Sequence, residues 1–383
     1  MQNCYVPFVS DTHIDAALDQ YNWVLLSDGV RGMDVEADSN GNLRFRVDLE
    51  YRGPYDSATR AGIELQLRTA LRVLTGIDNP SGEAIEVVDE NGDKILVPLS
   101  VSPRPSFFLK IYYWIRQRLN SILQLGRTLT NRFFVAQQVV AGNQPIIGGQ
   151  AVGSSPVPDF CTPPGTVATS LVYDTHFRLL TNNHVLAQNF CKRIGKPICI
   201  DGKVTDVTLS GFFEIRSYNQ TEFNNLRLYP GTLQYNLVDL AWCDVTTQQA
   251  LQARKLDKNG MVTQQISGFR KPRRCEEVSF WGEGSKTQWT CKILSTTYRY
   301  RSQAAPYQFW KNIIRLDTCN SQKGDSGAAI VAADTDENGE VKYEVVGLIR
   351  SRSEIPVPGC KQAFACPLSE PEEINQERIV TCP

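Results

Sequence analysis

From residue 135 onward the chain consists of short strand-like runs, which are separated by turns rich in Gly, Pro and Asn. Such a succession of short strands is typical of β-barrels, so the pattern predicts a mostly β fold for residues 135–383. We place a division of this part near residue 260. The chain has 383 residues, which exceeds one average domain, and 42% of them are hydrophobic, which is sufficient for packed cores.

Residues 1–105 predict a small α+β module instead. Residues 34–37 and 42–51 alternate polar and apolar side chains on either side of an Asn-Gly pair, which predicts a β-hairpin. Residues 84–88 and 94–98 flank a second Asn-Gly pair and predict another hairpin. These two hairpins supply the predicted strands of the module.

A helix is predicted between the two hairpins, over residues 57–75. Its apolar residues recur at helical spacing, which predicts one buried face. Pro103 and Pro105 end the module, and the serines around them indicate a flexible junction, so we expect the module to be separable from the rest of the chain. The apolar residues of the helix are Ile63, Leu65, Leu67, Leu71 and Leu74.

Residues 106–134 predict a basic amphipathic helix that links the module to the β part. Apolar residues fall on one face, while the segment carries five Lys or Arg residues and no acidic residue. Such a helix can bind a membrane surface or an acidic partner. The alternative is that its apolar stripe packs on the N-terminal sheet or on the β part.

The charge and composition of the chain limit the kinds of partner that it is expected to bind. The net charge of −1 gives no electrostatic reason to expect nucleic-acid binding. The first residues lack the basic and apolar regions of a secretory signal, and no apolar stretch reaches the roughly 18 residues of a membrane span. We therefore expect a cytoplasmic protein that does not bind nucleic acid and, apart from the basic helix, does not contact membranes.

The cysteines and one acidic loop give weak signals for bridges or metals. Eleven cysteines without a secretory signal predict thiols that are mostly reduced and buried, with Cys275 and Cys291 as the pair to test for a disulfide. No Cys-x-x-Cys pair occurs and only three histidines are present, so no metal site is expected. Residues 334–339 open like a calcium loop, but Val345 stands where a Glu is needed, and we expect a hairpin turn.

The turn Gly324-Asp325-Ser326-Gly327 carries the main chemical signal. A serine hydroxyl is a weak nucleophile, so it needs a sharp turn that exposes it and backbone N–H groups that point at the developing oxyanion. The two glycines permit such a turn, although Gly, Asp and Ser also compose ordinary turns. The function of Ser326 therefore depends on its partners.

Two upstream segments supply those partners. An apolar run ends in a Thr-Asn-Asn turn that presents His184. Asp239 interrupts the apolar segment 236–242. Because burying an unpaired carboxylate costs several kcal/mol, Asp239 requires a partner, and a histidine N–H is a natural one.

With these residues the sequence resembles the chymotrypsin-like (trypsin-like) serine proteases. The order His184, Asp239, Ser326 is theirs and differs from that of subtilisins and α/β-hydrolases. More narrowly, four segments resemble the leaderless intracellular branch that includes the plant Narrow Leaf 1 proteases and their bacterial relatives. The resemblance covers about residues 140–355 and nothing before residue 135. The four segments are residues 148–153, 164–168, 181–186 and 236–241.

The resemblance implies two β-barrels, with His184 and Asp239 on the first, Ser326 on the second and a cleft between them. It implies that Ser326 is the nucleophile, His184 the general base and Asp239 the buried residue that orients the histidine. The backbone N–H groups of Gly324 and Ser326 would form the oxyanion hole. We expect Asp325 to make a structural ion pair.

Three residues compete for these roles. Asp244 follows Asp239 in the same region and is the alternative orienting acid. His176 lies within a strand-like run and His13 lies in the N-terminal module, so neither is presented by a turn as His184 is.

The resemblance also places Asn320 at the base of the primary specificity pocket and residues 345–353 along its wall. Asn320 is uncharged, so it does not supply the acidic base that selects Lys or Arg. Arg350 or Arg352 could bind a substrate carboxylate and favour cleavage after Glu or Asp. Because side chains alternate along a strand, only one of the two can face inward, and both can instead be solvated or paired.

The sequence thus predicts a serine endopeptidase that acts on a protein or peptide substrate and needs no cofactor. The N-terminal module would regulate the enzyme, localise it or recruit substrate, and a regulatory partner would bind there. One alternative is a protease-like scaffold whose triad is restrained and whose task is binding. Another is a membrane-surface effector that acts through the basic helix.

Overall fold

The structure of the protein is a computed structural model. It describes residues 9–37, 42–49, 57–75, 84–88, 93–101, 146–155, 165–173, 176–188, 191–258, 261–302, 306–318, 321–335, 337–352 and 362–368. The predicted mostly β fold, preceded by an α+β segment, is confirmed. The predicted helix of residues 106–134 lies outside the described residues. In the described part of the chain, no helix has both the length and the apolar character needed to cross a membrane.

The N-terminal segment combines helices with a small sheet. Its elements are α1 (Asp11–Gln20), α2 (Asn22–Leu26), β1 (Val30–Ala37), β2 (Leu43–Leu49), α3 (Ser57–Thr75), β3 (Ala84–Val88) and β4 (Lys94–Val101). Strands β1 and β2 pair antiparallel, as do β3 and β4, so the strand pairs of both predicted hairpins are confirmed. A parallel pairing of β2 with β4 joins the two hairpins into one sheet.

Helix α3 begins and ends where the sequence predicted. Ile63, Leu67 and Leu71 are buried, because residues four apart lie on one face of a helix. Leu65 is 66% exposed, so its predicted place on the apolar face is wrong. It lies two positions from both Ile63 and Leu67, which turns its side chain toward the opposite side of the helix.

The first β unit follows from residue 146. Its elements are β5 (Ala151–Ser154), β6 (Gly165–Thr166), β7 (Ser170–Tyr173), β8 (His176–Thr181), α4 (Asn183–Leu186), β9 (Pro197–Ile200), β10 (Lys203–Thr208), β11 (Gly211–Phe212), α5 (Gln220–Leu228), β12 (Ala241–Val245) and α6 (Thr247–Ala253). The strands form two antiparallel sheets, in the orders β10-β9-β5-β6 and β11-β12-β8-β7. Apolar side chains from both sheets, such as Val152 and Leu179, pack into one core.

The second β unit contains a closed ring of strands. Its elements are β13 (Lys255–Lys258), β14 (Met261–Phe269), β15 (Glu277–Gly282), β16 (Thr287–Arg301), β17 (Phe309–Thr318), β18 (Ala329–Thr335), β19 (Val341–Arg352) and β20 (Gln362–Pro367). Successive pairings run β15-β16-β17-β20-β19-β18 and return to β15, which closes a six-stranded barrel. The first unit ends with α6 and the second begins with β13.

Strand β1 joins the N-terminal sheet to this second unit. Gly32 pairs with Tyr300 and Met33 with Arg299, so β1 and β16 belong to one sheet. A Cβ atom at Gly32 would lie 2.1 Å from the Tyr298 hydroxyl, so the close approach of the strands requires glycine. The structure therefore differs from the predicted separable module, because the segment shares a sheet and part of its apolar core with the β part.

Buried and partly buried charges lie at this junction, and we call Asp34, Glu36, Arg46, Asp48 and Arg315 the interface network. Arg315 pairs with Glu36 and lies 3.5 Å from Asp34, while Arg46 lies 2.8 Å from Asp48 and 3.3 Å from Glu36. Burial opposes the ionisation of Glu36, but Arg315 and Arg46 outweigh it and lower the pKa of that carboxyl. At Asp34 burial prevails and raises the pKa.

The cysteines depart in part from expectation. Cys275 and Cys291, the pair predicted as a candidate disulfide, are not disulfide-bonded. Cys199 is disulfide-bonded, so the described cysteines are not all reduced.

Candidate active site

His184 lies in a short turn that two buried asparagines hold. It follows strand β8 and lies in α4, a helix of four residues. The Asn182 amide donates to the backbone oxygen of Ile349 at 2.7 Å, and the Asn183 amide donates to that of Phe213 at 2.6 Å. The turn is thereby fixed to both β units. The Thr-Asn-Asn sequence indicated the turn, but the partners of its amides come from residues far along the chain.

Asp239 is the partner of His184. Its Oδ2 lies 2.7 Å from His184 Nδ1, and its Oδ1 accepts the backbone N–H of His184 at 3.1 Å. The carboxylate is fully buried, whereas 38% of the His184 side chain is exposed. Burial raises the pKa of Asp239, but His184 and Arg350 outweigh burial and hold this pKa below its usual value. A buried anion therefore faces an accessible imidazole.

Asn236 holds the loop that carries Asp239. Its side-chain oxygen accepts the N–H of Arg216 at 2.7 Å, and its amide donates to the backbone oxygens of Arg216 at 2.9 Å and Phe309 at 3.1 Å. The backbone of Asn236 also bonds to Phe309 and Lys311 in β17. These bonds fix the loop of the first β unit to the barrel of the second.

The N-terminal segment also contacts this loop. The hydroxyl of Tyr235, next to Asn236, donates to the side-chain oxygen of Asn22 in α2. Arg299 donates to the same oxygen at 2.9 Å, and its guanidinium carbon lies 5.2 Å from the centroid of the Tyr235 ring. Helix α2 is therefore connected to the loop of Asp239 through one tyrosine.

Ser326 lies in a tight turn that needs both of its glycines. The φ angles of Gly324 and Gly327 are 107° and 92°, in the region that favours glycine. A Cβ atom at Gly327 would also lie 2.2 Å from Thr181 Oγ1 and 2.4 Å from the backbone oxygen of Thr166. The turn is thus packed against β6 and β8 of the first unit.

The turn of Ser326 meets the segment of His184. A Cβ atom at Gly165 would lie 2.5 Å from the Val185 side chain and 2.7 Å from the backbone oxygen of Ser326. Val185 directly follows His184, and the N–H of Thr166 donates to the same Ser326 oxygen at 2.7 Å. Ser326 and His184, which come from different β units, are both half-buried at this contact.

Asp325 supports the turn through backbone N–H groups. Its buried carboxylate accepts the N–H of Ser285 at 2.7 Å and that of Gln322 at 2.6 Å. Among the described residues Asp325 makes no ion pair, in contrast to the prediction, and two backbone donors bind its carboxylate instead. In the described part of the chain, the N–H groups of Gly324 and Ser326 have no hydrogen-bond partner, which leaves them open as oxyanion donors.

The structure corrects the role suggested for Arg350. Its Nε lies 3.1 Å from Asp239 Oδ2, and the side chain is only 13% exposed. Because the guanidinium already faces Asp239, it is not free to bind a substrate carboxylate. Arg352 is described only through its backbone, which pairs with Ala363, and Asn320 lies outside the described residues.

The competing residues occupy other surroundings. Asp244 is 52% exposed and its carboxylate lies 3.6 Å from Arg178, so it pairs with this arginine rather than with His184. His176 is exposed at the start of β8, and His13 lies in α1. Of the two aspartates, Asp239 contacts His184 and Asp244 pairs with Arg178.

The described residues offer no obvious place for a metal. Among them, no group of three or more His, Cys, Asp or Glu side chains is arranged to hold an ion. Thr335 pairs with Val341 across β18 and β19, which confirms the hairpin predicted at residues 334–339.

Comparisons with known proteins give structural neighbours only. No protein-family model and no curated protein sequence matches the chain. The structure is similar to that of Thermobifida fusca protease A, with 14% identity and a TM-score of 0.39 over 63% of this chain and 100% of that chain. It is also similar to Cellulomonas bogoriensis chymotrypsin (14% identity, TM-score 0.38, 62% of this chain and 100% of that chain). For a Nocardiopsis protease the values are 13% identity and a TM-score of 0.39, over 62% of this chain and 98% of that chain.

Proposed function

We propose that the protein is a trypsin-like serine endopeptidase in which Ser326 is the nucleophile, His184 the general base and Asp239 the orienting acid. The observation that carries this proposal is the 2.7 Å contact between Asp239 Oδ2 and His184 Nδ1. It connects a buried carboxylate to a half-exposed imidazole, and the glycine-bounded turn of Ser326 packs against the same segment. We also propose that the chain is related to the leaderless intracellular branch of these proteases, which four of its segments resemble.

The proposed reaction uses side chains and backbone N–H groups only. Ser326 Oγ attacks the carbonyl carbon of the scissile bond while His184 Nε2 accepts the hydroxyl proton. Asp239 holds Nδ1–H and so keeps Nε2 available as the acceptor. The N–H groups of Gly324 and Ser326 donate to the tetrahedral oxyanion. The imidazolium then protonates the leaving amine, and a water molecule hydrolyses the acyl-enzyme by the same route.

The N-terminal segment is proposed to regulate this site or to recruit substrate. The contact of Asn22 with Tyr235 supports a regulatory role, because Tyr235 adjoins the loop that carries Asp239. A partner that moved α2 would thereby act on the orienting acid. The proposed substrate is a protein or a peptide.

One contact favours the alternative of a catalytically restrained, protease-like binding protein. Ser326 Oγ lies 3.3 Å from the backbone oxygen of Arg350, in donating geometry. A hydroxyl has one proton, so donation to this oxygen and donation to His184 exclude one another. If the first arrangement persisted with peptide bound, the serine would not be activated.

Peptide hydrolysis by the purified full chain distinguishes the two functions. We expect the wild-type protein to cleave quenched fluorescent peptides, and Ser326→Ala and His184→Ala each to lower turnover by roughly four to six orders of magnitude. His176→Ala is the matched control, since this histidine lies exposed on β8, and it should keep full turnover.

Thermal unfolding of each variant verifies that the fold is kept. Full activity of Ser326→Ala would exclude the serine-protease function. A folded wild-type chain that binds peptides but cleaves none of them would favour the restrained scaffold.

A further inference from the structure

Arg350 contacts the proposed orienting acid directly. Its Nε lies 3.1 Å from Asp239 Oδ2, the same oxygen that lies 2.7 Å from His184 Nδ1. The other oxygen of the carboxylate accepts the backbone N–H of His184 at 3.1 Å. The carboxylate is therefore hydrogen-bonded to His184 and lies beside the charge of Arg350, whose Nε forms an ion pair with it but no aligned hydrogen bond.

The guanidinium of Arg350 is held firmly in this place. It lies 3.8 Å from the centroid of the Trp310 ring and 5.5 Å from that of Tyr300, so its plane is covered by aromatic carbon. Its Nη2 donates to Gln308 Oε1 at 3.1 Å. Trp310 and Tyr300 are themselves buried. An arginine fixed in this way can fix the carboxylate that it faces.

The backbone at Arg350 contacts the other two members of the site. Its carbonyl oxygen accepts from Ser326 Oγ at 3.3 Å. The preceding residue, Ile349, accepts from the Asn182 amide beside His184 at 2.7 Å and from the N–H of Gly327 at 2.8 Å. Strand β19 thus connects the turn of Ser326 with the turn of His184. The side chain of Arg350, in the same strand, contacts Asp239.

The charge of Arg350 acts on the same carboxylate as the charge of protonated His184. Among the described residues, the titratable groups that act on Asp239 are His184, Arg350 and the Cys366 thiol. Burial raises the pKa of Cys366 to about 12, so this thiol is neutral near pH 7. The balance of charge around Asp239 is therefore set by His184 and Arg350.

We propose that Arg350 is a positioning residue of this site, which fixes the Asp239 carboxylate against His184 and, through its charge, limits how strongly Asp239 stabilises protonated His184. The inference rests on the proposed serine-protease function. It places Arg350 among the residues that position the triad and not among those that recognise the substrate.

Two substitutions separate position from charge. Arg350→Met removes both the contact and the charge, whereas Arg350→Lys keeps a charge but loses the planar guanidinium. In Arg350→Met we expect kcat to fall about tenfold to a hundredfold, because a misplaced catalytic group costs rates of this size, with KM for uncharged peptides unchanged. We expect the acidic limb of kcat/KM against pH to move upward, because the Asp239 carboxylate then faces His184 without the cation beside it.

The lysine variant and a distant arginine provide the controls. The kcat of Arg350→Lys should be lower than that of the wild type, but the acidic limb of its kcat/KM profile should stay at the wild-type pH. Arg178→Met is the matched control, because Arg178 also lies over an aromatic ring, at 5.0 Å from the Trp242 centroid, and pairs with an aspartate, Asp244. It should leave both kcat and the limb unchanged.

The kinetics of these variants decide whether Arg350 positions Asp239. A folded Arg350→Met protein with wild-type kcat and limb would overturn the proposal, and so would a change confined to KM for acidic peptides. If Arg350→Met does not fold, Gln308→Ala, which releases the far end of the guanidinium, is compared with Arg350→Lys. Both should then lower kcat, and wild-type values in both would overturn the proposal. If the wild-type chain shows no Ser326-dependent turnover, the proposed function fails first and this inference falls with it.

Discussion

Two clusters of buried charge in this protein use the same kinds of side chain in different surroundings. In the interface network, Arg315 is 1% exposed and Asp34 is fully buried, so this pair is closed off from solvent. At the candidate site Asp239 is equally buried, but its partner His184 is 38% exposed. A half-exposed histidine can exchange a proton with a bound substrate, whereas a closed pair can only stabilise the fold. Exposure of the partner, rather than burial of the carboxylate, therefore separates the proposed catalytic cluster from the structural one.

In the comparison of these two clusters, the largest expected effect comes from the aspartate of the site. Asp239→Asn should lower turnover by about ten-thousandfold, because an amide stabilises the wrong tautomer of His184, while the chain stays folded. Asp244→Asn is the matched control and should change turnover little, since Asp244 is half-exposed and pairs with Arg178. Peptide kinetics with thermal unfolding measure both. The reverse order of the two variants would move the orienting role to Asp244.

Substitutions in the interface network should instead change the free energy of unfolding. Arg315→Met leaves the buried Asp34 and the partly buried Glu36 without their main cation, and breaking a buried pair in this way costs about 3–5 kcal/mol of unfolding free energy. Arg273, whose side chain is 65% exposed and lies 3.1 Å from Asp334, provides the control. Arg273→Met should change the unfolding free energy by at most about 1 kcal/mol. Equal effects in denaturant unfolding would mean that the network does not hold the junction.

The junction can also be tested without changing a charge. Gly32→Ala places a Cβ atom 2.1 Å from the Tyr298 hydroxyl and 2.9 Å from the backbone oxygen of Arg299, so the β1–β16 pairing must open. Overpacking of this kind costs about 1–3 kcal/mol. Gly62→Ala in α3 meets no atom within 4 Å and should stabilise the helix by up to about 1 kcal/mol. An unchanged unfolding free energy for Gly32→Ala would show that the N-terminal sheet is separable after all.

The smallest expected effect is a pH dependence of the stability that the interface network contributes. Burial raises the pKa of Asp48, but Arg46 and Arg315 outweigh it and hold this pKa below its usual value of 3.8. A lowered carboxyl pKa contributes stability above the usual value, and this contribution is lost as the pH falls through the folded-state pKa. Asp48→Asn should therefore be less stable than wild type at pH 7, and the difference should shrink as the pH falls below 3.8 toward the folded-state pKa. A difference that stayed constant with pH would show that Asp48 acts through its shape alone.

The sequence predicted local structure and the contact of Asp239 with His184 better than it predicted other long-range contacts. The bounds of α3 and the strand pairs of both N-terminal hairpins follow from periodicity and turn residues, which act over a few positions. The contact of Asp239 with His184 could be expected because an apolar strand cannot bury a carboxylate alone. For each of these features, one segment of sequence contained the physical reason.

Features that depend on distant segments were missed. The pairing of Gly32 with Tyr300 joins residues far apart in the chain, and nothing in β1 shows which strand lies beside it. The alternation of side chains in β19 indicated that one arginine faces inward, but not that Arg350 meets Asp239. Its neighbours Trp310 and Tyr300 come from other strands, so only the folded barrel shows what the guanidinium contacts.

The most direct test of the account is covalent labelling of the full chain with a fluorophosphonate, followed by mass mapping of the modified peptide. Such a probe reacts with a serine whose proton is taken by a base and whose oxyanion is stabilised by donors. We predict one adduct, on Ser326, that is absent in Ser326→Ala, strongly reduced in His184→Ala and retained in His176→Ala. A folded wild-type chain without an adduct, or an adduct on another serine that persists in Ser326→Ala, would contradict the account.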